Sequence, residues 1–292
     1  MPPALGAGQD CPGPRAVTRW SALSSDDATR KLRSGSRVPQ LSVEGLSVEL
    51  PVKQGLLRRT VGHLKVLDRV ELRVLRGQTV AVVGEPGAGK TTLGRAIARL
   101  VPSSAGRVLL AGKDLAALDD AERHRALAQI LLLTAETVGQ PAHLAALRAG
   151  AVKLLILDEA FEALDASSRP PLLAEIRRLQ DEQSLSCLVL TRSLQVASAI
   201  SDEVVVMHDG QLVESGATAD LVSHPHHPYT RGLLGAVTEP APSAPGARAS
   251  GCRFRARCPQ TFSRCAAEEP TWFAVPGGLC RCFLHDPDGA ER

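Results

Sequence analysis

Four short apolar runs, the first three each followed by a segment of helical character, organise this chain. Thr79 to Val83, the KLLILDE stretch from Lys153 to Glu159, Cys187 to Thr191 and Val204 to Met207 read as buried strands. Thr92 to Leu100, the segment SSRPPLLAEIRRLQDE and Leu194 to Ile200 read as helices. In the second of these, Ser168 is the expected cap, and two prolines fall in the first turn, where their missing N–H groups cost little. Two alternating stretches come earlier, LSVEGLSVEL from Leu41 and then Val66 to Val74, separated by a basic loop. Gly112 to Leu133 reads as a turn and then a helix. Strands alternating with helices predict an α/β fold with a mostly parallel sheet. Residues 1–38 are rich in Pro, Gly, Ser and charge without a sustained period, which predicts a disordered extension.

The first candidate chemistry sits where one strand meets one helix. After Thr79–Val83 the chain reads GEPGAGKTT, residues 84–92, the order strand, glycine-rich loop, helix that a P-loop requires. Gly84, Gly87 and Gly89, with Glu85, Pro86 and Ala88 between them, let the backbone curl so that successive N–H groups face one phosphate chain. Lys90 is expected to reach the β and γ oxygens of a nucleoside triphosphate, and Thr91 to ligate Mg²⁺, with Thr92 closing the loop onto the helix. KLLILDE supplies the second half. Asp158 is expected to hold Mg²⁺ through water, and Glu159 to polarise the attacking water.

Composition narrows the setting. With 292 residues and 44% hydrophobic content, the chain can bury one sizeable core and a small appended module. A net charge of +3 is near balance and points away from nucleic acid. No apolar run approaches the ~18 residues of a membrane span, and MPPALGAGQDCPGPR lacks the charged start and apolar core of a secretory signal. The expectation is a cytoplasmic protein.

Together these residues resemble the ATP-binding cassette (ABC) ATPases, specifically the oligopeptide/dipeptide importer group. The match extends through EALD (Glu162 to Asp165), VVVMHDGQLVESG (Val204 to Gly216) and HPYT (His227 to Thr230). The stretch GLLRRTVGHLKVLDRVEL is similar to the F-type member of the two ATPase subunits of such importers. The resemblance implies a P-loop NTPase fold, ATP and Mg²⁺ as ligands, and a second ABC ATPase subunit as homo- or heterodimer partner. It also implies transmembrane permease subunits, hence a peripheral place at the inner face of the cell membrane. The expected organisation is a disordered extension over 1–38, a shortened nucleotide-binding domain over 39–222, and a peptide-transporter C-terminal region with a cysteine-rich tail over 223–292.

The departures from that family carry as much chemistry as the matches. Only 67 residues separate Lys90 from Asp158, too few for the glutamine loop, the inserted helical subdomain and the LSGGQ signature. The helical subdomain is expected to be largely missing, which puts permease docking in doubt. Laying AQILLL on the glutamine-loop strand places Leu133 where the glutamine belongs. TVGQPAHLAALRAGA leaves Gly139 and Gln140 as the remaining signature-like residues. Arg192 stands at the position of the switch histidine, and a guanidinium, which stays protonated, cannot act as a neutral imidazole. Around Val61 to Leu64 no aromatic residue is present to stack on adenine, and His63 is the one weak stacker there. The expectation is an ATP-binding subunit with impaired hydrolysis. The alternatives are a nucleotide-binding regulator or scaffold that no longer drives transport, and a decayed paralogue.

Five of the seven cysteines lie between Cys252 and Cys282, spaced C-x5-C-x6-C-x14-C-x-C. In a cytoplasmic chain clustered thiolates point to metal before disulfides, and the spacing is unlike the C-x2-C pairs of a zinc ribbon. Iron–sulfur, zinc and free thiols all stay open on the residues alone. Resemblance to the cysteine tail of peptide-importer ATPases, some of which hold a [4Fe–4S] cluster, implies Cys252, Cys258, Cys265 and Cys282 as ligands, with Cys280 spare.

Overall fold

The computed structural model describes residues 38–54, 59–165, 167–236 and 250–289. The expected disordered extension therefore lies, apart from Val38, outside the described residues. Among the described residues, twelve strands and nine α-helices follow in chain order. The first half holds β1 (Leu41–Gln54), β2 (Arg59–Val74), β3 (Thr79–Val83), α1 (Lys90–Ile97), β4 (Ala105–Leu110), β5 (Lys113–Asp114), α2 (Asp120–Leu127), β6 (Ile130–Thr134), α3 (Pro141–Arg148) and β7 (Leu154–Asp158). The second half holds α4 (Ala160–Ala163), α5 (Arg169–Gln183), β8 (Ser186–Thr191), α6 (Leu194–Ile200), β9 (Glu203–His208), β10 (Gln211–Ala217), α7 (Thr218–Ser223), α8 (Pro228–Arg231), α9 (Ser263–Ala267), β11 (Phe273–Val275) and β12 (Gly278–Cys280).

The strands form two sheets, an antiparallel one in the order β2-β1-β4-β5 and a larger one in the order β11-β12-β10-β9-β3-β8-β7-β6. From β9 to β6 the larger sheet is parallel, and β10, β12 and β11 extend it antiparallel. β3, β7 and β8 are buried along their whole length, so both faces need apolar residues, and they have them. Val80, Val82, Leu154, Ile156, Leu188 and Leu190 face a core shared with the antiparallel sheet and α1. Their alternating neighbours Ala81, Val83, Leu155, Leu157 and Val189 face a second core that takes in Ile176 and Leu179 of α5.

Several boundaries differ from the sequence-based expectation. α1 begins at Lys90, two residues before Thr92, and ends at Ile97, because Arg99 turns into the left-handed region at φ 58°. Gly112 to Leu133 holds a polar helix, α2, capped by the Asp119 side chain accepting from the Glu122 N–H, and then a separate strand, β6. Ser168 occupies the N-cap position of α5 without a capping bond from its side chain. The Asp165 carboxylate instead accepts from the Ser168 N–H at 2.7 Å. Between Thr134 at the end of β6 and Pro141 at the start of α3 lie six residues. They fold as a tight turn in which the Thr137 and Val138 N–H groups both donate to the Thr134 carbonyl.

Candidate functional site

β3 delivers the glycine-rich loop at the centre of the parallel sheet, and the loop closes on α1. Gly84 passes so near β9 that a Cβ there would lie 2.3 Å from the Met207 carbonyl oxygen. Gly89 takes φ 109°, and a Cβ would lie 2.9 Å from Leu67 of β2. Any side chain at these two positions would push the loop off the strands behind it. The Lys90 side chain curls back into the loop, donating to the Gly84 carbonyl at 2.8 Å and to the Glu85 carbonyl at 3.0 Å.

β7 brings its two carboxylates to the same place. The Thr91 hydroxyl donates to Asp158 Oδ1 at 3.1 Å. Glu159, turned into the left-handed region at φ 50°, places Oε1 3.6 Å from Lys90 Nζ. Burial holds the Lys90 ammonium below its ordinary pKa, against the opposing pull of Glu159, Asp158 and Glu162. Burial raises Asp158, and its bond from Thr91 partly offsets this. The site thus joins one buried cation, a ring of carboxylates and a hydroxyl next to an open glycine loop. Thr91 and Asp158 offer adjacent oxygen donors of the kind a hard divalent cation takes.

The remaining expected residues fall in different places. Arg192 is exposed just beyond β8, and its backbone N–H donates to Glu162 Oε1 at 3.4 Å. Leu133 is fully buried in the second core, level with Leu157 of β7, and puts no polar group at the site. Gly139 and Gln140 lie in the six-residue turn before α3. His63 is exposed on β2.

The cysteines show a mixed outcome. Cys252, Cys258, Cys265 and Cys282 line one cavity, together with Phe254 and Phe283 among others. Cys280 is buried in β12 outside it. All five are free thiols. Among the described residues no group of three or more His, Cys, Asp or Glu side chains is gathered to hold a metal ion, so no ready-made metal site supports the cluster expectation. Burial pushes the Cys282 thiol up to about 12, and the Cys252 and Cys258 thiols also upward.

Sequence reasoning missed three residues at the site. Glu162 reads in sequence as part of the EALD loop. In the fold, its carboxylate accepts from the Thr191 hydroxyl at the end of β8, while its Oε2 is buried without a partner. Tyr229 of HPYT accepts at its hydroxyl from the Glu85 N–H at 3.0 Å. Arg257 donates to both Glu85 carboxylate oxygens, at 2.8 and 2.6 Å. The partners of Glu85 lie 144 and 172 residues away in sequence, and no local spacing signals them.

The P-loop at the end of a central parallel strand, the acidic β7 beside it and the flanking antiparallel sheet define a P-loop nucleotide-binding fold. A family model of the ABC transporter matches residues 67–143, and one of the oligopeptide/dipeptide transporter C-terminal region matches residues 213–265. Over these two stretches the chain is similar to the ABC transporter family and to the C-terminal region of oligopeptide/dipeptide transporters. It is similar to a putative peptide import ATP-binding protein of Brucella ovis, 29% identical over 86% of this chain and 99% of that protein. It is also similar to the dipeptide transport ATP-binding protein DppF of Escherichia coli, 29% identical over 86% of this chain and 96% of that one. The Brucella pairing is 321 positions long but uses 86% of this 292-residue chain, so about 70 positions of the relative have no counterpart here. Among solved structures, cbiO1 from Clostridium perfringens, part of the ABC transporter complex cbiONQ, superposes with a TM-score of 0.51 at 17% identity. That superposition covers 67% of this chain and 95% of that one. A bacterial Atm1-family ABC exporter gives a TM-score of 0.52 at 18% identity, over 69% of this chain and 42% of that one. These two likenesses concern the fold alone.

Proposed function

We propose that this chain is the ATP-binding subunit of a peptide importer of the oligopeptide/dipeptide type, able to bind Mg-nucleotide and impaired in its hydrolysis. The observation that carries the binding half is the assembled loop, in which Lys90 sits buried beside Glu159 while Thr91 bonds to Asp158. On binding, Lys90 would exchange the Gly84 and Glu85 carbonyls for β and γ phosphate oxygens, the backbone N–H groups of Gly87 and of residues 89–92 would face the phosphates, and Thr91 and Asp158 would hold Mg²⁺. Bound Mg²⁺ supplies charge neutralisation at the phosphates. Glu159 is placed to orient the attacking water.

Three features support impaired turnover. Arg192 stands where a neutral imidazole belongs, Leu133 is buried in place of the glutamine, and the β6 to α3 link of six residues carries no LSGGQ. Each group acts on the γ-phosphate or its water, and losses of this kind cost on the order of a hundredfold in rate. In a dimer with a second ABC ATPase subunit, this chain contributes Lys90, Asp158 and Glu159 to a site whose signature comes from the partner. Docking to permease subunits at the inner face of the membrane lacks its usual helical surface on this chain. Among the described residues no helix is long and apolar enough to cross a membrane. Titration with a fluorescent ATP analogue tests the binding half, and equal affinity in wild type and Lys90→Ala would sink it.

A second element of the proposal is a [4Fe–4S] cluster on Cys252, Cys258, Cys265 and Cys282. Its support is the shared cavity with an all-thiol donor set. A cluster holds its four thiolates further apart than a single ion does, which suits donors that are not gathered around one point. Anaerobically purified protein is expected to be brown, with iron and acid-labile sulfide present together and both reduced in Cys258→Ser. Colourless protein with stoichiometric zinc would replace the cluster by a zinc site, and metal-free protein would leave free thiols.

A further inference from the structure

The cysteine-lined cavity and the P-loop share a wall. The segment Cys252 to Cys258 is wound tightly, with the Arg255 N–H donating to the Cys252 carbonyl and the Arg257 N–H to the Phe254 carbonyl. Its two cysteines and Phe254 line the cavity. Arg257, adjacent in sequence to Cys258, leaves the same turn in the direction of the P-loop. Its side chain is 10% exposed and makes the bidentate pair with Glu85. The guanidinium also lies 5.6 Å from the centre of the Phe254 ring. Phe254 in turn packs edge-on against Tyr229, with ring centres 5.4 Å apart, and Tyr229 holds the Glu85 N–H. Glu85 is thus gripped at its carboxylate by one residue of this wall and at its backbone by another.

Glu85 needs that grip. It is the second residue of a loop whose ligand is polyanionic, and an unpaired carboxylate there would repel phosphate in a partly dry site where charges interact strongly. A planar guanidinium neutralises it with two parallel bonds and fixes its direction, which a lysine would not. We propose that Arg257, assisted by Tyr229, is a positioning residue of the nucleotide site. By neutralising and orienting Glu85, it makes affinity for a nucleoside triphosphate depend on the geometry of the cysteine-bearing turn 252–258. This rests on the reading that the loop binds nucleotide.

A double-mutant cycle on the full chain separates positioning from simple packing. Affinity for a fluorescent ATP analogue is measured in wild type, Arg257→Ala, Glu85→Gln and the double variant, with Arg257→Lys as a milder change. Arg257→Ala is expected to weaken binding tenfold or more and Arg257→Lys by less. In the Glu85→Gln background, Arg257→Ala is expected to change affinity less than twofold, because the carboxylate that required neutralising is gone. An equal loss in both backgrounds would show that Arg257→Ala merely disturbs the fold, and no loss in either would show that the loop holds itself; both results overturn the proposal. Wild type that binds no better than Lys90→Ala would overturn the nucleotide reading itself, a result distinct from either.

Discussion

The two sides of the γ-phosphate position differ in how they are built. On one side, β3, the glycine loop and α1 are contiguous in sequence, and β7 adds Asp158 and Glu159 from the neighbouring strand but one in the same sheet. On the other side, the groups expected to order water come from the ends of β6 and β8 and from an inserted subdomain. There the chain offers Leu133 in the core, Arg192 in solvent and a six-residue turn. Binding needs the first side, and turnover needs both. A contiguous loop is kept by its own backbone geometry, whereas a site assembled from distant elements is lost when any one of them goes.

The test with the largest expected effect bears on the contiguous side. Lys90 is 3% exposed and paired with Glu159, so its removal deletes the phosphate contact and leaves carboxylates uncompensated. Lys90→Ala is expected to lower nucleotide affinity by a hundredfold or more, in line with the ~2–5 kcal/mol for truncating a buried, hydrogen-bonded charge. Equilibrium titration reads this directly. A loss below tenfold would place the binding energy elsewhere and erase the contrast.

Acid offers the next test, because the contiguous side leans on two buried histidines. Burial, reinforced by Arg257, depresses His208 to about 4, and burial, reinforced by His208 and His285, depresses His227 to about 3. Both pKa values lie below the ordinary 6.5, so the fold favours neutral imidazole. The associated stability is fully present above pH 6.5 and is lost as pH falls toward the folded values. At pH 5 each histidine forfeits about 2 kcal/mol. His208 packs at a tilt on Tyr229, ring centres 4.4 Å apart, so nucleotide binding is expected to weaken as pH falls from 6.5 and to fail as it approaches 4. Hydrogen exchange should show β9 and α8 opening there before α3, whose His143 is not buried. Uniform exchange along the chain at pH 5 would contradict this.

Much of the contiguous side was legible in the sequence. GEPGAGKTT and KLLILDE announce their elements because the glycines, the lysine and the apolar runs act on near neighbours. The end of α1 was not legible, since nothing in ARL marks Arg99 for the left-handed region. Gly112 to Leu133 hid a strand behind a helix, because ILLL fits either period at that length. The pairing of Glu85 with Arg257 is set by the whole fold, and GCRFRARCP on its face signals only cysteine chemistry. EALD concealed Glu162 for a similar reason: its place beside Thr191 depends on how α4 packs on β8.

Glu162 gives a smaller test of the same contrast. Its carboxylate pulls on Lys90 and has one buried oxygen without a partner, so it adds negative charge beside the triphosphate end of the site. Replacing it by an amide keeps the bond from Thr191 and removes that charge. Glu162→Gln is expected to raise affinity for ATP a few-fold relative to ADP, since ATP alone extends the extra phosphoryl group toward it. Parallel titrations with the two nucleotides measure the ratio. An unchanged ratio would place Glu162 out of reach of the γ-phosphate.

The smallest expected change comes from restoring one residue of the dispersed side. Arg192→His returns an imidazole to the switch position, yet Leu133 stays buried and the turn from Thr134 to Pro141 still carries no signature. Transition-state stabilisation by groups that act as a unit is strongly non-additive, so one restored member recovers little. Steady-state phosphate release by the chain alone is expected to lie near background and to rise less than twofold in Arg192→His. Robust release in wild type, abolished by Glu159→Gln, would show that the short chain has rebuilt a working site, and the proposed impairment would be wrong. A large gain in Arg192→His alone would locate the defect in one side chain instead of in the missing segment, and the two sides of the site would then differ by a single charge and not by architecture.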